Sequence, residues 1–290
     1  MTAKYWTDTD RQAVEQKPLE IYLFVDPICP KCWALRPIMK KLMMEYEPYI
    51  RIKHVLSGTL STLNKKRSAL ARNEEYPVTR SGMYCNGSLR TSNHPIDSPF
   101  IVSVAIKAAE LQGKRAGNRF LRSLQEQLFI EQLDISDFRV LQSCANEANL
   151  DLDEFVQDIH SVTASKAFQC DVKIASEMDV EETPTLVFFN ENIEDEGIKI
   201  DGVYPYEVYV QIVEEMLLEK PQKKELPTID QFLERFKVVA TPEVAIIYNL
   251  SIQEAEKELK KRMFQQKVEP INAKNETFWR HIPQNKFPTT

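Results

Sequence analysis

The sequence predicts an α/β fold, and three observations carry that prediction. An apolar strand runs straight into a Cys-x-x-Cys pair, Cys29 and Cys32, within "FVDPICPKCWALRPIMKKL". A Thr-Pro dipeptide, Thr183-Pro184, stands directly before a second apolar strand, "TLVFF". Between the two, from Ser98 to Met178, apolar residues recur at helical spacing.

Taken in order, residues 1–18 form an N-terminal tail with no apolar run behind a basic flank, so no secretory signal is expected. "LEIYLFV", Leu19 to Val25, is β-branched, aromatic or aliphatic at most positions, as a strand buried on both faces would be, and reads as the central strand. From Pro30 the residues Trp33, Ile38, Met39, Leu42 and Met43 follow a helical rhythm, which puts Cys32 in the first turn of a helix. Pro37 is expected to kink that helix one turn later. "IRIKHVL", Ile50 to Leu56, is a second strand, and the polar stretch after it, to Ile96, resists assignment. Ser98 is read as an N-cap with Pro99 at the first helical position, and Gly113 is placed to end that helix. Further helix starts are signalled at Ser136 and Asp151. Strand returns at Thr183 to Asn190, "EDEG" turns the chain, "IKIDGVY" supplies a hairpin partner, and a helix from Glu207 to Leu218 closes the unit. Strand, helix, strand, helices, hairpin and helix is the order of a thioredoxin-like domain, here residues 19–220, with a helical insertion at about 97–178.

"EKPQKKELP", Glu219 to Pro227, is charged, carries two prolines and reads as a linker. Residues 221–290 then predict a small winged-helix-like C-terminal domain. A helix follows Thr228, a second starts at Thr241 and Pro242, and a third is capped by Ser251 with Glu254 in a capping box; "KVEPI" and "TFWRHI" around "NAKNE" form a hairpin.

Composition narrows the function classes. No run of about 18 apolar residues exists, so no membrane-spanning helix is expected. Five cysteines at 29, 32, 85, 144 and 170 are an odd number on a long chain, which argues for reduced thiols and a cytoplasmic protein. A net charge of −6 gives no general affinity for nucleic acid, and only seven glycines disfavour a glycine-rich phosphate cradle.

Chemistry centres on Cys29 and Cys32. At a helix N-terminus the unpaired N–H groups and the macrodipole stabilise a thiolate on the first cysteine, and Lys31 adds positive charge. Thr183-Pro184 fits the cis-proline loop that thioredoxin-like proteins place opposite. A zinc site is disfavoured, since no second Cys or His pair completes four ligands, and no metal or cofactor is expected. Thioredoxins carry a buried acid six positions before the first cysteine, and here that position is Leu23. Loss of general acid–base help, typically worth about 10²- to 10⁴-fold, would handicap an enzyme and not a binding scaffold.

"LEIYLFVDPICPKCWALRPIMKKL", "SPFIVSVAIKAAELQGKRAGNRFLRSLQEQLF", "FQCDVKIASEMDV" and "PTLVFFN" followed by "DEGIKIDGVY" resemble the SpxH (YjbH) branch of the DsbA-like family, over nearly the whole chain. The resemblance implies a cytoplasmic, non-catalytic adaptor that binds the transcriptional regulator Spx and promotes its degradation by the ClpXP protease. The alternative is a thiol-disulfide oxidoreductase using Cys29 and Cys32. Some members begin with a His- and Cys-rich zinc-binding tail, whereas the first eighteen residues here hold neither residue type.

Candidate partner-binding residues are Trp33, beside the thiols; Lys65 and Lys66, with Arg67; and Asp179, Glu181 and Glu182, which with Asp171 and Glu177 give the approach to Pro184 a negative rim opposed only by Lys173. For Trp33, packing of the helix against the insertion is the competing reading. Cys85 lies in a polar loop, and Cys144 and Cys170 are expected in the core. The four histidines are scattered, with no two at ligand spacing. From Lys223 on, the chain carries 12 Lys or Arg against 9 Asp or Glu. DNA readout is nevertheless disfavoured, because Glu254, Glu256 and Glu258 occupy the part of the third helix that would meet base edges.

Overall fold

In the computed structural model, residues 17–57, 99–192, 194–273 and 276–283 are described. β1 (Leu19–Val25) lies between β2 (Ile50–Leu56), to which it is parallel, and β3 (Thr185–Asn190), to which it is antiparallel; β4 (Ile198–Asp201) completes the order β2-β1-β3-β4. The central position explains the apolar run, since both faces are covered. Leu19, Ile21, Leu23 and Val25 join the main core with Leu35, Ile38 and Leu42 of α1 (Pro30–Glu45) and with Tyr209 and Val213 of α7 (Tyr206–Leu217). Phe24 points the other way, to Val55, Val187 and Ala175. α1 runs unbroken through Pro37, which is itself buried.

The insertion supplies α2 (Pro99–Leu111), α3 (Lys114–Phe129), α4 (Phe138–Glu147), α5 (Leu152–Asp158) and α6 (Val162–Glu177), closed around Phe120, Leu124, Leu141 and Phe155. Gly113 holds φ +118 between α2 and α3, a conformation that a side chain resists. Asp151 caps α5 as expected, accepting from Glu154 N at 3.0 Å. Ser136 does not cap α4: its N–H and hydroxyl are both held by Asp134, and Asp137 takes the cap by accepting from Arg139 N at 2.8 Å. Ser98 and residues 58–97 lie outside the described residues.

Toward the C-terminus come α8 (Ile229–Phe236), β5 (Val238–Ala240), α9 (Thr241–Tyr248), α10 (Ile252–Phe264), β6 (Val268–Ala273) and β7 (Glu276–His281), the strands forming a separate antiparallel sheet in the order β5-β7-β6. The predicted capping box forms at Ser251 with Glu254, and Thr228 makes a second one with Gln231. β5 is too short, at three residues, to announce itself in the sequence.

This C-terminal unit is not held by its linker alone, because α1 reaches into it. Met44 joins the core formed by Phe232, Leu233, Val244, Leu259 and Trp279. Lys40 pairs with Glu243, and Lys41 donates to Ile246 O at 2.9 Å and to Asn249 Oδ1 at 2.5 Å. The predicted linker is itself tied down: Lys224 N donates to Glu45 O at 2.8 Å, and Lys223 Nζ reaches the buried Glu45 carboxylate at 3.0 Å.

Candidate site at Cys29 and Cys32

"DPIC" ends β1 and starts α1. The Asp26 carboxylate accepts from Ile28 N at 3.0 Å, and its carbonyl accepts from Cys29 N at 3.0 Å, which turns the chain so that Cys29 becomes the N-cap and Pro30 the first helical residue. Cys32 follows in the first turn. Both cysteines are nearly buried, at 8% and 4% exposure.

The Thr183-Pro184 peptide is cis. Thr185 Oγ1 donates to Glu182 O at 2.8 Å and contacts Asp201 Oδ1 at 2.6 Å, and Gly202 N donates to Pro184 O at 2.7 Å, so the loop is pinned from both sides. It presents the Thr183 carbonyl to Cys29, whose S–H donates at 3.4 Å. That contact is served by the thiol form, since a thiolate would face a carbonyl oxygen. Burial holds the Cys32 thiol well above the ordinary thiol range, the neighbouring Cys29 pushes it further, and a backbone N–H of Asp26 works against both.

Leu23 is buried on the core side of β1, as an aliphatic residue there should be. A carboxylate is nonetheless close by. Asp26, three positions before Cys29, is 1% exposed and near enough that its charge raises the Cys32 thiol further. Sequence reasoning missed it by testing a single position, although Asp26 stands in plain view in the same motif.

Other candidates resolve unequally. Trp33 is 3% exposed and packs between Phe129 of α3, at 5.1 Å between ring centroids, and Phe278 of β7, at 6.3 Å. It cannot line a docking surface, and the packing reading extends to the C-terminal unit as well as the insertion. The Arg36 guanidinium lies 4.2 Å over its ring. Asp179, Glu181 and Glu182 are exposed, with Lys31 bridging to Glu182 at 3.4 Å across the site. Asp171 does not belong to that rim: it is buried, accepts from Leu56 N at 2.8 Å and pairs with Lys107. Lys65, Lys66 and Cys85 lie outside the described residues. Cys144 is buried, its thiol pushed up to about 12 by desolvation. Cys170 is exposed, because α6 buries the stripe Ala164, Phe168, Asp171 and Ala175 and position 170 falls beside it. Among the described residues no three His, Cys, Asp or Glu side chains gather as around a metal ion, and no helix is long and apolar enough to cross a membrane.

Against known proteins, residues 22–211 match a thioredoxin family model. Curated relatives extend further. The ClpXP adapter protein SpxH of Bacillus subtilis is 47% identical over 92% of this chain and 90% of its own. The protein of the same name from Halalkalibacterium halodurans is 46% identical over 94% of this chain and 92% of its own. Solved structures share the fold: a probable DsbA oxidoreductase from Streptomyces coelicolor has a TM-score of 0.53 at 17% identity, covering 72% of this chain and 94% of its own. The cytosolic disulfide reductase DsbM from Pseudomonas aeruginosa has a TM-score of 0.50 at 13% identity, covering 63% of this chain and 89% of its own.

Proposed function

The chain belongs to the family of ClpXP adapter proteins named SpxH, and we propose that it holds the transcriptional regulator Spx for degradation by ClpXP, in the cytoplasm and without chemistry of its own. One observation carries the reading. Similarity to the adaptors spans 92% of the chain and therefore most of the C-terminal unit, whereas the thioredoxin family model ends at residue 211. What the adaptors share with this chain beyond a thioredoxin domain is the added unit that clasps α1.

On this reading the protein contributes a coupling free energy: its binding favours a state of the client from which the protease engages it. A coupling of about 1 to 3 kcal/mol raises engagement roughly 5- to 150-fold. A second reading, thiol-disulfide exchange, is favoured by buried Asp26 beside Cys32, which could take the proton that Leu23 cannot.

Degradation of purified Spx by ClpXP tests both. The wild-type chain should accelerate it, and the Cys29→Ala, Cys32→Ala double variant should do so to within about twofold, an effect below 0.5 kcal/mol. No acceleration by the wild type would end the adaptor reading, and loss confined to the double variant would make the thiols part of delivery.

A further inference from the structure

We propose that the outer face of α10 is a docking surface for an acidic protein segment carrying an apolar anchor. The proposal deepens the adaptor reading, on which it rests for its biological meaning. α10 buries Ala255 and Leu259 against its own unit, while Lys257, Lys261 and Phe264, at spacings of four and three residues, form one stripe on the opposite face. Phe264 is 81% exposed. An aromatic residue left so far in water at the end of a helix contributes nothing to the fold that holds it.

Charge says what would cover it. The helix carboxylates are already committed: Glu254 closes the capping box, Glu256 pairs with Lys260 at 2.7 Å, and Glu258 pairs with Arg262 at 2.6 Å. Neither Lys257 nor Lys261 has an ion-pair partner among the described residues. Two exposed ammonium groups one turn apart, leading to an exposed ring, ask for carboxylates spaced to match and an apolar side chain beyond them.

The probe is a fluorescein-labelled twelve-residue peptide of Asp and Glu with one Phe, read by anisotropy against the full-length chain, with a Lys-for-acid counterpart and a labelled DNA duplex in parallel. The acidic peptide should bind, weaken with added salt, and lose at least about tenfold in affinity, or 1.4 kcal/mol, in Lys257→Glu/Lys261→Glu and in Phe264→Ser. All three positions are exposed, so unchanged circular dichroism confirms that the variants are folded. Failure of the acidic peptide to bind, binding indifferent to these variants, or tighter binding of the Lys peptide or of DNA through the same residues would overturn the proposal. Delivery of Spx separates the two readings. If the wild type delivers Spx and the α10 variants deliver it equally well, the surface is wrong and the adaptor stands. If nothing delivers Spx while the acidic peptide binds at α10, the surface stands and the adaptor reading falls.

Discussion

Glu243→Gln and Lys40→Met each remove one half of the ion pair at the joint between α1 and α9, and the structure predicts that they are not equivalent. Lys40 is 8% and Glu243 4% exposed. Burial lowers Lys40 to about 8 even with the carboxylate beside it, while Lys40 and Arg36 hold Glu243 below the ordinary carboxylate value despite its burial. Breaking a buried pair generally costs about 3–5 kcal/mol, because a naked charge is left behind. Lys40 has a way out. With a value near 8, Lys40 sheds its proton cheaply at pH 7, so Glu243→Gln should destabilise by only about 1 kcal/mol. Glu243 has no comparable escape, since it is held below the ordinary carboxylate value and Arg36 still favours its charge when Lys40 is gone. Lys40→Met should therefore cost about 3 kcal/mol, Arg36 sparing the remainder. Urea unfolding followed by tryptophan fluorescence reads both, as Trp33 and Trp279 lie at this joint and in the unit behind it. The pH dependence carries a definite sign. The folded value of Lys40, about 8, lies below its ordinary 10.5, so between the two the unfolded chain binds the extra proton and this group makes wild-type stability rise with pH. Without Glu243 the Lys40 value falls further, so the deficit of Glu243→Gln should shrink as pH rises toward 8 and level off above it, where both folded chains hold Lys40 neutral. Equal costs, a larger cost for Glu243→Gln, or a deficit that grows above pH 8 would refute the reasoning.

Leu218→Gly should stabilise the chain by up to about 1 kcal/mol, because Leu218 sits at φ 56°, ψ 16° with 89% exposure, and an L-residue there carries left-handed strain. Leu218→Ala, which keeps the Cβ, should gain none of this in thermal unfolding, and equal gains would remove strain as the cause. Mapping of native thiols by alkylation and mass spectrometry at pH 8 should find Cys170 labelled at least about tenfold faster than Cys29, Cys32 or Cys144, as exposure and thiolate character dictate. Faster labelling of Cys32 or Cys144 would contradict the burial on which the site description stands.

Most of what local patterning specified came out of the sequence, although the helix start read at Ser136 falls to Asp137. β1 and β2 have the bounds that their apolar runs mark, and Gly113, Asp151, Thr228 and Ser251 act where turn and cap chemistry put them. Cys29, Cys32 and cis-Pro184 meet because a helix start and a strand start converge at one end of the sheet, a juxtaposition that the order of elements already implies. These features depend on a few neighbouring residues, so they can be read from neighbouring letters. Long-range encounters are different. Nothing near Trp33 announces Phe278, 245 positions away, nor does Lys40 announce Glu243, yet these contacts turn a residue beside the thiols into buried packing and a linear linker into a fastened joint. Asp171 and Cys170, adjacent in the chain, exchange the fates expected of them because the orientation of α6 decides which of the two meets the core. Burial of a charge, and whether it finds its partner, depends on how whole elements pack, and that balance of desolvation against pairing is struck only once the chain has closed on itself.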